Sequence, residues 1–366
     1  MDIGLNEEQE LLKNSAREFL AKECPERHVR EMEADEKGYS PQLWRKIAEL
    51  GWHGLMIPAN FGGSGFSFYD LCIVVEEAGR SLLPGPFVPN QIVAGLLLEA
   101  GSQAQHKKYL PVIANGSQIH TYAFTEGAGR WGAGDIALKA QRTREGVVLN
   151  GSKLFVPNGQ IADVIWVVAR GDDGFVVGAV PRAAKGVRIV PLNTMTGENL
   201  AEVILDNVSI AGDDVIKLAS LDAFSNRATV LECAYQVGLI ERDFEITVEY
   251  AKMRAAFGQP IGAFQAIQHK AADMVTDLEG MRFITYRAAA VVSDRDSSAN
   301  LKVAMAKAWC SEASRRVVAH GQQIHGAIGF TKEYTIQLYF RRQKHGELFW
   351  GDADFHRERI AQMLSI

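Results

Sequence analysis

Four short segments combine residue types that can do chemistry. The first is Arg254-Ala255-Ala256-Phe257-Gly258-Gln259-Pro260-Ile261, at the end of a long helical pattern. A guanidinium beside a glycine turn can hold phosphate oxygens in bidentate fashion, and an adjacent aromatic can cover a flat ring. The same residues also suit a helix-terminal cation with Phe257 in the core. The second is Gln322-Gln323-Ile324-His325-Gly326-Ala327-Ile328-Gly329-Phe330. Its small residues let a cofactor or another backbone come close, although a helix cap and turn reads the same way. His325 with His320 and His345 has no metal-site spacing, so no metal is expected. The third is the glycine-rich run from Thr125 and Glu126 through Arg130 and Trp131 to Asp135. It could approach an anion or a ring. It lacks the Lys-Ser/Thr ending and the βαβ setting of a phosphate loop, and a flexible surface loop is the alternative. The fourth is Phe349-Trp350-Gly351-Asp352-Ala353-Asp354-Phe355-His356-Arg357. Here Asp354 reads as a helix N-cap, which leaves Asp352 freer to act on a ligand.

The elements that must position these segments follow from periodicity. Residues 1–118 read as helical: Asn6 with Gln9 forms a capping box, Ser40-Pro41 starts a helix, Gly51 stops one, and Pro84, Pro86 and Pro89 break the chain. Residues 119–213 read as β, with strands at 119–124, 147–149, 164–168, 175–180, 187–190 and 203–205. Turns are expected at Asn150-Gly151, Asn158-Gly159 and Asp173-Gly174. Residues 214–366 return to long helices, at 229–253, 265–290, 299–323 and 354–364. The expected fold class is α+β: a helical domain, a compact antiparallel sheet or barrel, and a helical bundle.

With 366 residues, 47% hydrophobic and 23% charged, the chain is long enough for two or three packed regions and too apolar for disorder. A net charge of −5 argues against a nucleic-acid partner. The apolar runs are too short to cross a bilayer, and the acidic start does not read as an export signal. Cys24, Cys72, Cys233 and Cys310 form no CxxC pair and are expected as buried thiols in a reducing cytoplasm.

In order and spacing, these segments resemble the acyl-CoA dehydrogenase family of flavoproteins. The similarity is carried by Arg254-Ala-Ala-Phe-Gly-Gln-Pro-Ile, Phe264-Gln265-Ala-Ile-Gln268-His269, Gln323-Ile-His-Gly326 with Gly329-Phe330, Leu149-Asn-Gly-Ser-Lys153, and Pro58-Ala-Asn-Phe-Gly-Gly-Ser-Gly65. The resemblance implies an FAD held between subunits. Arg254, Phe257, Gln265, Gln323 and Gly326 would grip its diphosphate and adenine side, while Thr125 and Phe155 would lie along its ring. It also implies α,β-desaturation of an acyl-CoA, a dimeric or tetrameric homo- or hetero-oligomer, and an electron-transfer flavoprotein or similar acceptor.

Several positions depart from the family pattern. The usual base position carries Trp350, and a second position for the base, in the long helix, carries Ala228. The remaining candidate bases are Glu232, one helical turn on, and Asp352. Pro157 stands where a threonine near the flavin is usual, and Arg130 and Trp131 stand where small residues are usual. The implied readings are an enzyme for an atypical or bulky acyl group, a base-deficient subunit of a heteromeric dehydrogenase, or a CoA-ester binding module without activity.

Overall fold

A computed structural model describes residues 4–366. Six helices open the chain: α1 (Glu7–Glu23), α2 (Glu26–Ala34), α3 (Pro41–Glu49), α4 (Phe68–Arg80), α5 (Phe87–Ala100) and α6 (Gln103–Ala114). Eight strands follow: β1 (His120–Ala123), β2 (Ala140–Arg142), β3 (Gly146–Pro157), β4 (Val164–Gly171), β5 (Gly174–Pro181), β6 (Val187–Leu192), β7 (Leu200–Ala211) and β8 (Val215–Leu218). Then come α7 (Asp222–Met253), a small hairpin of β9 (Ala255–Ala256) and β10 (Gln259–Pro260), α8 (Gln265–Ser293), α9 (Ala299–His325), α10 (Ile336–Leu348) and α11 (Ala353–Leu364). The order is the expected one: helices, then β-structure, then helices.

These elements pack as two interleaved compact units. One comprises the chain up to Val29, Phe68–Leu83 and Ala228–Ile366; the other comprises Arg30–Ser67 and Pro84–Arg227.

The first unit is a helical bundle around α4. Its start is set by the Asn6 capping box, with Gln9 N–H donating to Asn6 Oδ1 at 2.9 Å and Asn6 N–H donating to Gln9 Oε1 at 3.1 Å. α4 buries Leu71, Ile73, Val74 and Val75, and with them Glu76 and Glu77. Those carboxylates are tolerated because each is paired. Glu76 accepts from Lys13 (2.8 Å), Arg282 (2.8 Å) and the Tyr286 hydroxyl (2.6 Å), and Glu77 takes both arms of Arg17. Two glycines let α4 and α7 cross backbone to backbone. A Cβ on Gly79 would lie 1.8 Å from Tyr235 O, and one on Gly238 would lie 1.7 Å from Glu76 O.

The second unit holds two four-stranded sheets, ordered β1-β4-β5-β8 and β2-β3-β7-β6. The pairing is antiparallel except between β1 and β4, which run parallel with His120 opposite Val164. The chain visits the other sheet between those two strands, which supplies the long connection a parallel pair needs. Asn150-Gly151, expected as a turn, instead lies inside β3 as a bulge opposite β7, where Gly151 takes φ 147°. Strands β2 and β8, absent from the sequence expectation, are short pieces at sheet edges. Pro89, expected as a breaker, sits in the first turn of α5, where its missing N–H costs no intrahelical bond. Ser40 and Pro41 start α3 as expected, with Leu43 N–H donating to the Ser40 hydroxyl.

Candidate active site

At one end of the first unit, the hairpin after α7 meets the ends of α8 and α9. Arg254 N–H donates to Tyr250 O at 2.8 Å, extending α7 by one bond. The β9–β10 hairpin turns through Phe257 (φ 53°) and Gly258 (φ 83°), the two left-handed residues of a type I′ turn. Glycine suits that conformation; phenylalanine is strained in it by ~1–3 kcal/mol. The ring gains no burial in exchange, since Phe257 is 96% exposed and meets Phe264 edge-on at 6.2 Å. This overturns the alternative that Phe257 belongs to the core. Arg254, Gln265 and Gln323 are also exposed, and Gly326 ends α9 with φ 64°. Tyr250, one turn before Arg254, stacks on His325 at 4.3 Å, which sets the end of α7 beside the end of α9. His325 is buried, with Nδ1 bonded to Gly321 O at 2.8 Å.

The connection from α10 to α11 holds the second group. Trp350 has φ 62° and is 3% exposed. The carbonyls around it are taken from below. The buried Lys307 ammonium donates to Glu347 O (3.1 Å), Gly351 O (2.7 Å) and Ser311 Oγ (2.8 Å), and the His356 ring nitrogen Nε2 meets Trp350 O at 2.9 Å. Burial pushes His356 down to about 3, so its ring is neutral and Nε2 carries the hydrogen for that bond. Burial likewise lowers Lys307 from the ordinary lysine value.

Asp352, not Asp354, is the N-cap of α11. Its Oδ1 accepts from Phe355 N–H at 2.9 Å, while Asp354 is exposed and pairs with Arg357 at 3.0 Å. The assignment reverses because α11 starts at Ala353, and the cap is the residue before the first helical one. Glu232 is half-buried on α7 and lies against α10, where a Cβ on Gly346 would come within 2.5 Å of its Oε1. Ala228 is fully buried.

The second unit carries the remaining expected residues. Thr125 is 2% exposed, and its hydroxyl has no partner among the described residues. Leu154 N–H donates to Thr125 O at 2.8 Å, which brings the next residue, Phe155, alongside. Phe155 occupies a β3 bulge with φ 54° and is turned outward. The loop after Thr125 is anchored at its base. Glu126 accepts from Ala137 N–H, Leu138 N–H and the buried Lys153 ammonium at 2.7 Å, and Lys153 also donates to Phe124 O at 2.9 Å. Arg130, at the exposed tip, makes a loose 3.7 Å pair with Asp135, and Trp131 stacks on Phe124 at 6.0 Å. An unpaired buried hydroxyl beside an outward aromatic fits the edge and face of a flavin ring. Pro157 offers only its carbonyl, which accepts from the Thr121 hydroxyl at 2.6 Å.

Sequence reasoning singled out neither Lys307 nor the Lys153–Glu126 pair. A lone lysine inside the apolar run Val303-Ala-Met-Ala-Lys307-Ala-Trp-Cys310 was the available signal.

Three family models match the chain: the N-terminal domain of acyl-CoA dehydrogenase at residues 6–117, the middle domain at 121–208 and the C-terminal domain at 223–365. Among similar proteins, acyl-CoA dehydrogenase IpdE2 of Mycolicibacterium smegmatis is 32% identical, over 92% of this chain and 93% of its own length. The ChsE4–ChsE5 complex from Mycobacterium tuberculosis contains a chain with a TM-score of 0.94 and 28% identity, covering 100% of this chain and 99% of that one. A chain of the Tcur3481–Tcur3483 steroid ACAD has a TM-score of 0.92 and 29% identity, with 98% of each chain covered.

Proposed function

Because the chain belongs to the acyl-CoA dehydrogenase family, we propose that it is one subunit of a heteromeric, FAD-dependent acyl-CoA dehydrogenase acting on a bulky or cyclic acyl group. The observation that carries this reading is the exposure of Arg254, Phe257, Gln265 and Gln323 around the ends of α7, α8 and α9. A bare phenyl ring on a strained turn, beside an exposed guanidinium, is a surface that something else must cover. On this reading the FAD lies between chains. Arg254 and Gln323 take its diphosphate, and Phe257 covers its adenine end. Thr125 and Phe155 flank a flavin ring. When bound, FAD supplies the acceptor for the β-hydride.

The remaining chemistry needs a base for the α-proton, and a positioned carboxylate contributes ~10²–10⁴ in rate. Trp350 cannot supply it, because a neutral indole accepts no proton. Asp352 caps α11, and Glu232, one helical turn past Ala228 on α7, is the base we assign if this chain supplies one. The alternative within this reading is that the partner chain supplies it. The two-chain similar structures, one of them a steroid ACAD, support a hetero-oligomer and a cyclic acyl group. The four buried free thiols favour a reducing, cytoplasmic setting, and a soluble flavoprotein is the expected electron acceptor. Among the described residues no helix is long and apolar enough to cross a membrane.

The test is to purify the chain alone and with its genetic neighbour, then measure flavin content and subunit composition. The expected result is a colourless chain alone and a yellow complex of two different chains. The Arg254→Ala variant should lose most of that flavin on gel filtration. A yellow homomer, bleached by an acyl-CoA, would replace the heteromeric reading with a complete enzyme that uses Glu232.

A further inference from the structure

We infer that Gln236 reads an oxygen function on the acyl group, so that the preferred thioester carries a ketone or hydroxyl several carbons beyond its α-carbon. This rests on the acyl-CoA reading above, with Glu232 on the acyl-group side. Gln236 is 0% exposed, yet neither its Oε1 nor its Nε2 has a partner among the described residues. It lies one turn past Glu232 on the same face of α7. Both side chains converge on one point of α10: a Cβ on Gly346 would lie 2.3 Å from Gln236 Nε2 and 2.5 Å from Glu232 Oε1. Glycine at 346 is what allows the two to lie there.

The polar groups nearby are already used. Gln343 Nε2 donates to Ser314 Oγ (2.9 Å) and Glu347 Oε2 (3.1 Å), and Lys307 is spent on Ser311 and two carbonyls. Gln236 therefore keeps a free donor and a free acceptor in a place that excludes water. A buried amide in that condition is costly, and a hydrocarbon chain laid against it leaves the cost in place. A ketone would take the N–H, and a hydroxyl could pair with either end. The two polar tips that flank that point at Gly346 lie under about 5 Å apart, roughly three to four carbon–carbon bonds along an extended chain. That puts the oxygen at about the third or fourth carbon past the one Glu232 faces.

The experiment uses the native flavin-loaded complex with octanoyl-CoA and 6-oxooctanoyl-CoA as probes, and follows flavin reduction. The wild type should favour the oxo thioester by ~10-fold or more in kcat/KM. Gln236→Leu should bring that ratio to within about 3-fold, through a loss on the oxo thioester. It should also raise the Tm by ~2 °C or more, because the unpaired amide is gone. Gln236→Met, closer in shape, takes its place if the leucine variant misfolds. A wild type indifferent to the oxygen overturns the inference and leaves the acyl-CoA reading standing. So does an unchanged ratio in both variants, or a lowered Tm in both, which would mean that the amide has a partner. If neither straight-chain thioester reduces the flavin, the inference falls and the bulky or cyclic acyl group proposed above stands.

Discussion

Single residues decide how firmly the loop after Thr125 is held. Lys153 is fully buried, and its ammonium is balanced by one carboxylate, Glu126, which also ties down two backbone N–H groups. Burial alone would raise Glu126, but the hydrogen bond and charge of Lys153 hold it below the ordinary carboxylate value. A carboxyl so depressed stabilises the fold above the unfolded value near 4.5, and that contribution is lost as pH falls through its folded value. Lys153 runs the other way. Burial lowers it to about 8, so between about 8 and 10.5 the unfolded chain holds the proton and this residue's own contribution rises with pH. Glu126→Gln should therefore cost about 3 kcal/mol in urea unfolding at pH 7, the penalty of leaving a buried ammonium without its counter-charge. The gap between variant and wild type should narrow as pH falls below 4.5 and also as pH rises towards 8, because the unpaired lysine of the variant sheds its proton before the paired one does. A flat gap from pH 4 to 9 would mean that the pair does not act as an ion pair. The sequence marked Lys153 as part of a recognisable motif. It could not show the partner, which lies on the loop after β1, 27 residues earlier.

At the level of elements, α7 and α9 meet along a seam with a weak point. Asp243 on α7 is fully buried, and neither carboxylate oxygen has a partner among the described residues. It sits against Gly321 of α9, where a Cβ would lie 2.7 Å from its Oδ1. Burial raises Asp243 well above the ordinary carboxylate value, so above pH 3.8 the unfolded chain sheds a proton that the folded chain keeps. Its contribution to stability thus falls steadily as pH rises. Asp243→Asn should be more stable than wild type, by a margin that grows between pH 5 and pH 8, as measured by urea midpoints. A destabilised variant at pH 8 would show that the carboxyl has found a counter-charge. The long helices were legible because capping, proline and periodicity agree in them, as in Asn6 with Gln9 and Ser40 with Pro41. The inward polar residues were not. Asp243, Gln236 and Lys307 interrupt the apolar stripe that periodicity reads, and only packing shows that they face the bundle interior. Asn150-Gly151 misled for a related reason: the dipeptide that favours a tight turn also permits a bulge, and β7 pairs across it.

Considered whole, the residues proposed above for the dinucleotide fall in both units, and Arg254, Phe257, Gln265 and Gln323 of the first are exposed. Phe257→Asp should not lower the isolated chain's Tm, since the exposed ring adds little to the fold and aspartate tolerates the left-handed turn better. The same change should sharply cut the flavin and the partner recovered in co-purification. If both survive, the face around the hairpin is not an interface. The consequence reaches the chain's life before assembly. A greasy ring held aloft on a taut turn is the kind of feature that chaperones and proteases seize, so copies made in excess of their mates would be cleared. On the heteromeric reading, balanced synthesis of the two polypeptides, and not folding strength alone, would then set how much finished enzyme a cell can keep.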